Sequence, residues 1–241
     1  MAAVIETEDL RLGTSETPGT GESCYACERP GSTVEHCPPK SFFPQGQRVQ
    51  LLTVRSCPTH NNENSKDVEY VRNVLSTMWG VNTTGEQLFR GKVKRSLDRS
   101  PALLKKTFGD LETVLYQGQI TGALTIDTSR VERVFESCAR AIHYLETRKK
   151  QRNWAIVTPQ LGFRPDAPRE ATVGWGRVYE MLRSLAFGKK KVANPQVFEY
   201  GVSQLEGHHF YCFLMYQSFL VYALPLPEDF FLSVRLSKES K

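Results

Sequence analysis

The spacing of three cysteines and one histidine constrains this 241-residue chain more than any other sequence feature. The chain has six cysteines in all. Cys24 and Cys27 form a C-x-x-C pair, and Cys57 and His60 repeat that spacing further along the chain. A turn of this kind presents two ligand atoms to one ion, and two such turns supply the closed tetrahedral shell that structural Zn²⁺ prefers. The spacing therefore predicts a structural zinc ion held by Cys24, Cys27, Cys57 and His60.

The other cysteines carry less information. The chain begins without the basic and long apolar segments of an export signal, so we expect a cytoplasmic location and no disulfides. Cys138 and Cys212 stand in apolar surroundings and are expected in the core, whereas Cys37 has no partner at knuckle spacing. No apolar run approaches the ~20 residues of a membrane span, so no membrane partner is expected.

Charge is distributed unevenly along the chain, whose formal net charge is +5. Residues 1–23 hold five acidic side chains and one arginine, so the remainder carries a net charge of +9. Basic residues cluster at 90–106, 148–152 and 189–191. Any one of these clusters is ordinary for a solvated surface, but together they favour a polyanion such as nucleic acid as partner.

Polar residues of a different kind lie between and after the two knuckles. Glu35 and His36 open the sequence EHCPPKSFF, and Asn61 directly follows His60 in the sequence CPTHNNENSKD. Over about residues 24–78, the chain resembles the HNH endonuclease family in its two-knuckle, zinc-containing form. Both knuckles, the acidic residue before a histidine, and the asparagine after the last zinc ligand occur in the order of that family.

The resemblance implies a fold, a mechanism, and a bacterial or phage origin. A β-hairpin followed by a helix would hold one divalent ion, Mg²⁺ or Mn²⁺, beside a histidine that activates water. His36 corresponds to this general base, because an imidazole titrates near neutral pH. Glu35 and Asn61 correspond to the ligands of the catalytic ion. The implied activity is metal-dependent hydrolysis of phosphodiester bonds in nucleic acid, with DNA favoured over RNA.

One position departs from the family motif. The middle asparagine, which orients the histidine, is expected a few residues before the second knuckle, where this chain reads QLLTVRSC over 50–57. Gln50 or Thr53 could supply the missing hydrogen bond, and so could a backbone carbonyl. The departure leaves open a second interpretation, in which the zinc module has lost catalysis and serves as a nucleic-acid or protein adaptor. A third interpretation is a defence or toxin nuclease activated by a bound signal.

Basic residues in or near the motif are candidates for contact with the phosphate backbone, which they would hold without reading sequence. For Lys66, a solvated side chain in the first turn of a helix is an equally good interpretation. A homodimer is attractive, because one HNH site cuts one strand and two-fold symmetry would bring two sites to opposite strands. The candidate nucleic-acid contacts are Lys40, Lys66, Lys92, Lys94 and Arg95.

The complete pattern predicts an α+β protein. It comprises a flexible tail at residues 1–23, a zinc-binding HNH module at 24–80, and a domain of helices and antiparallel sheet at 81–241. The last of these would provide specificity, dimerisation or regulation.

Hydrophobic periodicity supports this class. Apolar residues at helical spacing predict one helix after the second knuckle, reaching Met78, and a longer helix over 128–150 with one face in the core. Aromatic and branched runs over 197–224 predict an antiparallel meander whose last tight turn contains Gln217 and Ser218.

Overall fold

The computed structural model describes residues 21–49, 51–116, 118–162, 189–205 and 207–227. Within these ranges the chain forms helices and antiparallel strand pairs, which confirms the predicted α+β class. Most of the predicted tail, up to residue 20, lies outside the described residues, as does Gln50.

The first structured unit is a hairpin followed by helices. Strands β1 (Thr33–Cys37) and β2 (Leu52–Ser56) pair antiparallel. Helix α1 (Pro58–Asn62) begins directly after the second knuckle cysteine. Its proline stands in the first turn. Backbone N–H groups have no intrahelical acceptor there, so the lack of an N–H on proline removes no hydrogen bond. Helix α2 (Ser65–Leu75) follows after two residues.

Helix α2 forms because its apolar residues recur at helical spacing, and Val71, Val74 and Leu75 are almost completely buried. It ends before Met78, where the sequence pattern had placed its last apolar contact. The reason is local: the hydroxyls of Ser76 and Thr77 donate to carbonyls of the last helical turn and thereby satisfy the end of the helix.

The middle of the chain is a run of short helices and a two-stranded ribbon. Asn82 accepts a hydrogen bond from the Gly85 N–H at 3.1 Å, and Ser100 caps a later helix in the same way. The elements are α3 (Thr83–Leu88), a π-helical turn (Phe89–Val93), α4 (Lys94–Arg99), α5 (Pro101–Phe108), β3 (Glu112–Tyr116) and β4 (Gln119–Ala123).

Helix α6 (Thr128–Thr147) is the predicted long helix. It ends three residues before the predicted boundary because Arg148 adopts a left-handed conformation, with φ of 57°. Its buried stripe includes Phe135, whose ring lies about parallel to that of Phe213 at 6.3 Å between centroids. In the described part of the chain, no helix is both long and apolar enough to cross a bilayer.

A five-stranded antiparallel sheet completes the fold, and its last three strands form the predicted meander. The turn between the last two strands is centred on Tyr216 and Gln217, which both have positive φ, so it begins one residue earlier than predicted. The spatial order is β5 (Trp154–Val157), β9 (Phe219–Pro225), β8 (His208–Met215), β7 (Phe198–Leu205) and β6 (Lys189–Asn194).

One buried core runs through the hairpin, α2, α6 and the sheet. Within it, the Tyr216 hydroxyl donates to the Phe42 carbonyl at 2.7 Å. At its edge, the Asn194 side-chain amide donates to the Gln47 carbonyl at 2.9 Å. The domain boundary after residue 80 stays a prediction, and side chains from both sides of it share this core.

A polar clamp joins α2 to α6. The Asp67 carboxylate accepts a hydrogen bond from Arg130 Nε at 2.7 Å and another from Arg133 Nε at 2.8 Å. The Arg130 guanidinium also lies 4.1 Å from the centre of the Tyr70 ring. Burial raises the pKa of Asp67, but the hydrogen bonds from the two arginines outweigh it and leave the pKa below its ordinary value.

We predict that Asp67→Asn lowers the free energy of unfolding by about 2 kcal/mol, because a charge-assisted, part-buried pair loses its carboxylate. Since the folded-state pKa is depressed, this contribution is present at neutral pH and is lost as the pH falls below about 4. Urea unfolding at several pH values measures it. Asp98→Asn is the control, because its pair with Lys94 is exposed and contributes less than about 0.5 kcal/mol. Equal losses in both variants would contradict the clamp.

Candidate metal centre and adjoining cleft

The four predicted zinc ligands come together. The three cysteine sulfurs and a ring nitrogen of the histidine all lie within 4.8 Å of one another. His60 Nδ1 is 3.4 Å from Cys24 Sγ and 3.3 Å from Cys57 Sγ, and the Cys27 and Cys57 sulfurs are 3.9 Å apart.

These distances fit a tetrahedral zinc shell. Zinc–sulfur bonds of about 2.3 Å and zinc–nitrogen bonds of about 2.0 Å place ligand atoms about 3.5 to 3.8 Å apart at the corners of a tetrahedron. The donor set of three sulfurs and one nitrogen is also one that structural zinc sites use. The cluster, which we call the Cys₃His cluster, could therefore hold a zinc ion.

Local backbone structure positions each ligand. The first knuckle is closed by hydrogen bonds from Cys24 N to the Arg29 carbonyl at 2.8 Å and from Ala26 N to Cys24 Sγ at 3.5 Å. Cys57 stands directly before α1, so that His60 lies in the first turn of that helix. The Arg29 guanidinium donates to Thr59 Oγ1 at 2.8 Å and joins the two knuckles.

Electrostatics within the Cys₃His cluster favour a cation. Burial raises the pKa of the Cys57 thiol, but hydrogen bonds from His60 outweigh this effect and lower the pKa to about 6. The pKa of Cys27 is raised, first by burial and then by its sulfur neighbours, because crowded sulfurs disfavour a further negative charge. A divalent cation would relieve this repulsion, and the thiolate is the form that binds metal.

Lys150, just beyond α6, fixes the first knuckle to the body of the protein. Its ammonium donates to Ser23 Oγ at 2.9 Å and to the Cys27 carbonyl at 2.8 Å, and it pairs with Glu28 at 3.0 Å. The knuckle is thus held by α6 as well as by its own ligands.

Glu35 lies on β1, opposite Val54, and is half-buried. Ser56 Oγ donates to Glu35 Oε2 at 3.1 Å, and the Tyr25 hydroxyl is a second hydrogen-bond partner. Burial raises the pKa of the carboxyl to about 7, and the two hydrogen bonds only partly offset that effect. Among the described residues, no lysine or arginine pairs with this carboxyl.

His36 follows on β1, directly opposite Thr53. Burial and then the charges of Lys40 and Arg48 lower the pKa of its imidazole below the ordinary value of 6.5, so the ring is mainly neutral at pH 7. Thr53 stands where the sequence suggested a replacement for the missing asparagine. Within the described chain, however, no hydrogen bond joins it to the imidazole.

Asn61 lies in α1, four residues before the start of α2, and its backbone N–H donates to the Cys57 carbonyl at 3.0 Å. It faces the same open cleft, of about 530 Å³, as Glu35 and His36. The cleft lies beside the Cys₃His cluster, because His60 also lines it. The structure therefore brings the three predicted catalytic residues together next to the candidate metal centre.

Of the five predicted nucleic-acid contacts, two line the cleft and three do not. Lys40 and Lys66 line the cleft. Lys92, Lys94 and Arg95 belong to the π-helical turn and α4 and are absent from the lining. Lys94 is paired with Asp98 at 2.7 Å on its own helix. Their contact with nucleic acid stays a prediction.

The sequence analysis missed cleft residues on α2. Ser65, Glu69 and Arg72 line the cleft beyond Asn61, on one face of the helix. Arg72 is 4% exposed, an unusual position for a charged side chain. Glu69 follows Ser65 by four positions, and Arg72 follows Glu69 by three, so the three residues share one face of a helix. This spacing was the signal in the sequence that could have placed them at the cleft.

No family model matches this chain, and no curated protein or solved structure matches it either. The resemblance to HNH endonucleases therefore rests on the motif residues themselves.

We predict that the purified protein binds about one zinc ion per chain and that Cys57→Ser loses it, because a structural zinc shell needs four ligands. Metal content by mass spectrometry of the purified protein measures this. Cys212→Ser is the matched control, since Cys212 is buried in the sheet outside the Cys₃His cluster. Zinc retained in full by Cys57→Ser would show that the four residues are not the ligands.

Proposed function

We propose that this protein is a metal-dependent nuclease of the HNH type that hydrolyses phosphodiester bonds of nucleic acid, with DNA favoured as substrate. The observation that carries the proposal is the shared cleft of Glu35, His36 and Asn61 beside the Cys₃His cluster. An acidic oxygen, an imidazole and an amide oxygen in one open cleft are groups that metal-assisted hydrolysis of a phosphodiester can use.

The residues fit a catalytic Mg²⁺ or Mn²⁺ ion. The Glu35 carboxyl lies at the cleft, has hydroxyl partners, and pairs with no described lysine or arginine. A shielded carboxylate of this kind is stabilised by a cation, and hard divalent ions prefer carboxylate and amide oxygens. Glu35 and Asn61 would hold the ion, which when bound would stabilise negative charge on the phosphate being cut.

His36 would act as the general base. Its imidazole is mainly neutral at pH 7, so a ring nitrogen can accept a proton from an attacking water. Glu35 and Asn61 would hold the cation and would not contact the phosphate oxygens, because a carboxylate repels an anionic phosphate. Lys40 and Lys66 would bind neighbouring phosphate oxygens from the rim of the cleft. The Cys₃His cluster would fix the hairpin and α1 in the arrangement that these residues need.

An adaptor without catalytic activity is the second candidate. The position opposite His36 is a threonine that makes no hydrogen bond with the imidazole within the described chain, so the ring lacks the orienting partner that the family motif supplies. In this case the cleft would bind nucleic acid without cutting it. Activation by a bound signal, as in a defence or toxin nuclease, is a variant of the first proposal.

We predict that His36→Ala reduces the rate of cleavage about 10²- to 10⁴-fold, the usual contribution of a general base. Supercoiled plasmid, linear duplex, single-stranded DNA and RNA are incubated with each protein and Mg²⁺ or Mn²⁺, and products are resolved by electrophoresis. Zinc content is measured on the same samples, because His36 is not a member of the Cys₃His cluster and the variant should retain the ion.

His208→Ala is the matched control, since His208 is an exposed histidine on β8 outside the cleft. It should cut like the wild-type protein. Equal rates for His36→Ala and wild type would refute the assignment of the base. Binding by a wild-type protein that contains zinc but cuts none of the four substrates would favour the adaptor.

A further inference from the structure

The hairpin places one buried hydroxyl against the carboxyl that is proposed to bind the catalytic ion. Glu35 of β1 lies opposite Val54, and Ser56 follows Val54 by two positions on β2. Side chains two positions apart on a strand share a face, so Ser56 is the diagonal neighbour of Glu35 across the hairpin. Ser56 is completely buried, and its Oγ donates to Glu35 Oε2 at 3.1 Å.

Ser56 also adjoins the Cys₃His cluster. Its Oγ lies 3.2 Å from the carbonyl oxygen of Cys57, the next residue and a predicted zinc ligand. The backbone N–H of Asn61 donates to this same carbonyl at 3.0 Å. One carbonyl of the Cys₃His cluster therefore lies next to the groups that place both proposed ligands of the catalytic ion, Glu35 and Asn61.

The Ser56 hydroxyl has one hydrogen and two acceptors within reach, the Glu35 carboxyl and the Cys57 carbonyl. A charged carboxylate attracts that hydrogen more strongly than a neutral carbonyl does. The stronger bond therefore goes to Glu35 and fixes the rotation of its carboxyl group. An ionised carboxylate has about four lone-pair sites, so a cation can bind this group from the cleft while Ser56 holds Oε2.

We infer that Ser56 is a positioning residue, which holds the Glu35 carboxylate in the orientation that binds the catalytic Mg²⁺ or Mn²⁺ ion. This inference rests on the proposed function. Ser56 is buried and does not line the cleft in the described structure, so it acts on the ion through Glu35. Groups that orient a metal ligand contribute about 10- to 100-fold to metal affinity, because an unfixed carboxylate must lose rotational freedom when the ion binds.

The test measures binding of Mn²⁺ alone to full-length protein that carries His36→Ala. This protein is loaded with zinc and titrated with Mn²⁺, and the free Mn²⁺ is measured by electron paramagnetic resonance. Ser56→Ala is introduced into this background. Glu35→Gln in the same background identifies the site, because the Mn²⁺ that it fails to bind is the ion held by Glu35. Zinc content and thermal unfolding are measured on every sample.

We expect Ser56→Ala to weaken Mn²⁺ binding about 10- to 100-fold. The variant should retain zinc, because Ser56 is not a member of the Cys₃His cluster. In protein with an intact His36, the Mn²⁺ concentration for half-maximal cleavage should rise by a similar factor, and excess Mn²⁺ should recover most of the rate.

Thr33→Val is the matched control. Thr33 lies directly opposite Ser56 on the hairpin, and its hydroxyl donates to the Ser56 carbonyl at 2.8 Å. The substitution removes a hydrogen bond from the same pair of strands, but in the described chain no hydrogen bond joins Thr33 to the Glu35 carboxyl. A general weakening of the hairpin would therefore affect both variants alike, whereas loss of positioning would affect Ser56→Ala alone.

Equal Mn²⁺ affinities of Ser56→Ala and Thr33→Val would overturn the positioning role. In that case cleavage by the protein with an intact His36 would still support the proposed function. Conversely, if Ser56→Ala alone loses affinity while the protein with an intact His36 cuts nothing, the positioning role stands and the proposed catalysis fails. A parent protein that binds no more Mn²⁺ than Glu35→Gln does would overturn both.

Discussion

The apolar stripe of α6 packs against α2 and the hairpin on one side and against the five-stranded sheet on the other. This shared burial fixes the position of the two knuckles relative to the helices and the sheet. Polar contacts then fix α2 and the first knuckle against this part of the protein. Asp67 of α2 pairs with two arginines of α6. Lys150 donates to the Cys27 carbonyl and to the Ser23 hydroxyl at the first knuckle. The cleft exists because the hairpin and α2 are both attached to this one helix.

The cleft combines two opposite electrostatic environments. On its inner side, Glu35 is a shielded carboxyl with hydroxyl partners. Positive charge is supplied by Lys40, Lys66 and Arg72, which line the same cleft. A phosphodiester needs both, because its bridging and non-bridging oxygens must be held while a cation neutralises the developing charge. His36 lines the same cleft, and burial and then the charges of Lys40 and Arg48 lower the pKa of its imidazole.

The parts that could be predicted from sequence depend on local spacing. Both knuckles, the placement of Asn61 and the meander follow from residues a few positions apart, so the pattern alone locates them. The pairing of Lys94 with Asp98 has the spacing of one helical turn and was also available from sequence. The position of Arg72 relative to Glu35 and His36 was not, because this arginine of α2 comes beside them only when the helix docks against the hairpin. The orientation of His36 was not either, since the cross-strand register decides which side chain faces it.

The hydrogen bond between the Tyr216 hydroxyl and the Phe42 carbonyl links residues 174 positions apart. Transfer of residues 24–80 alone to another protein would leave that buried carbonyl without its donor and would expose the apolar face of α2. Small zinc fingers are often shuffled among proteins as independent cassettes. Here the hairpin that carries the Cys₃His cluster shares one buried core with the sheet, so a cassette of residues 24–80 would lose part of the packing that shapes the cleft.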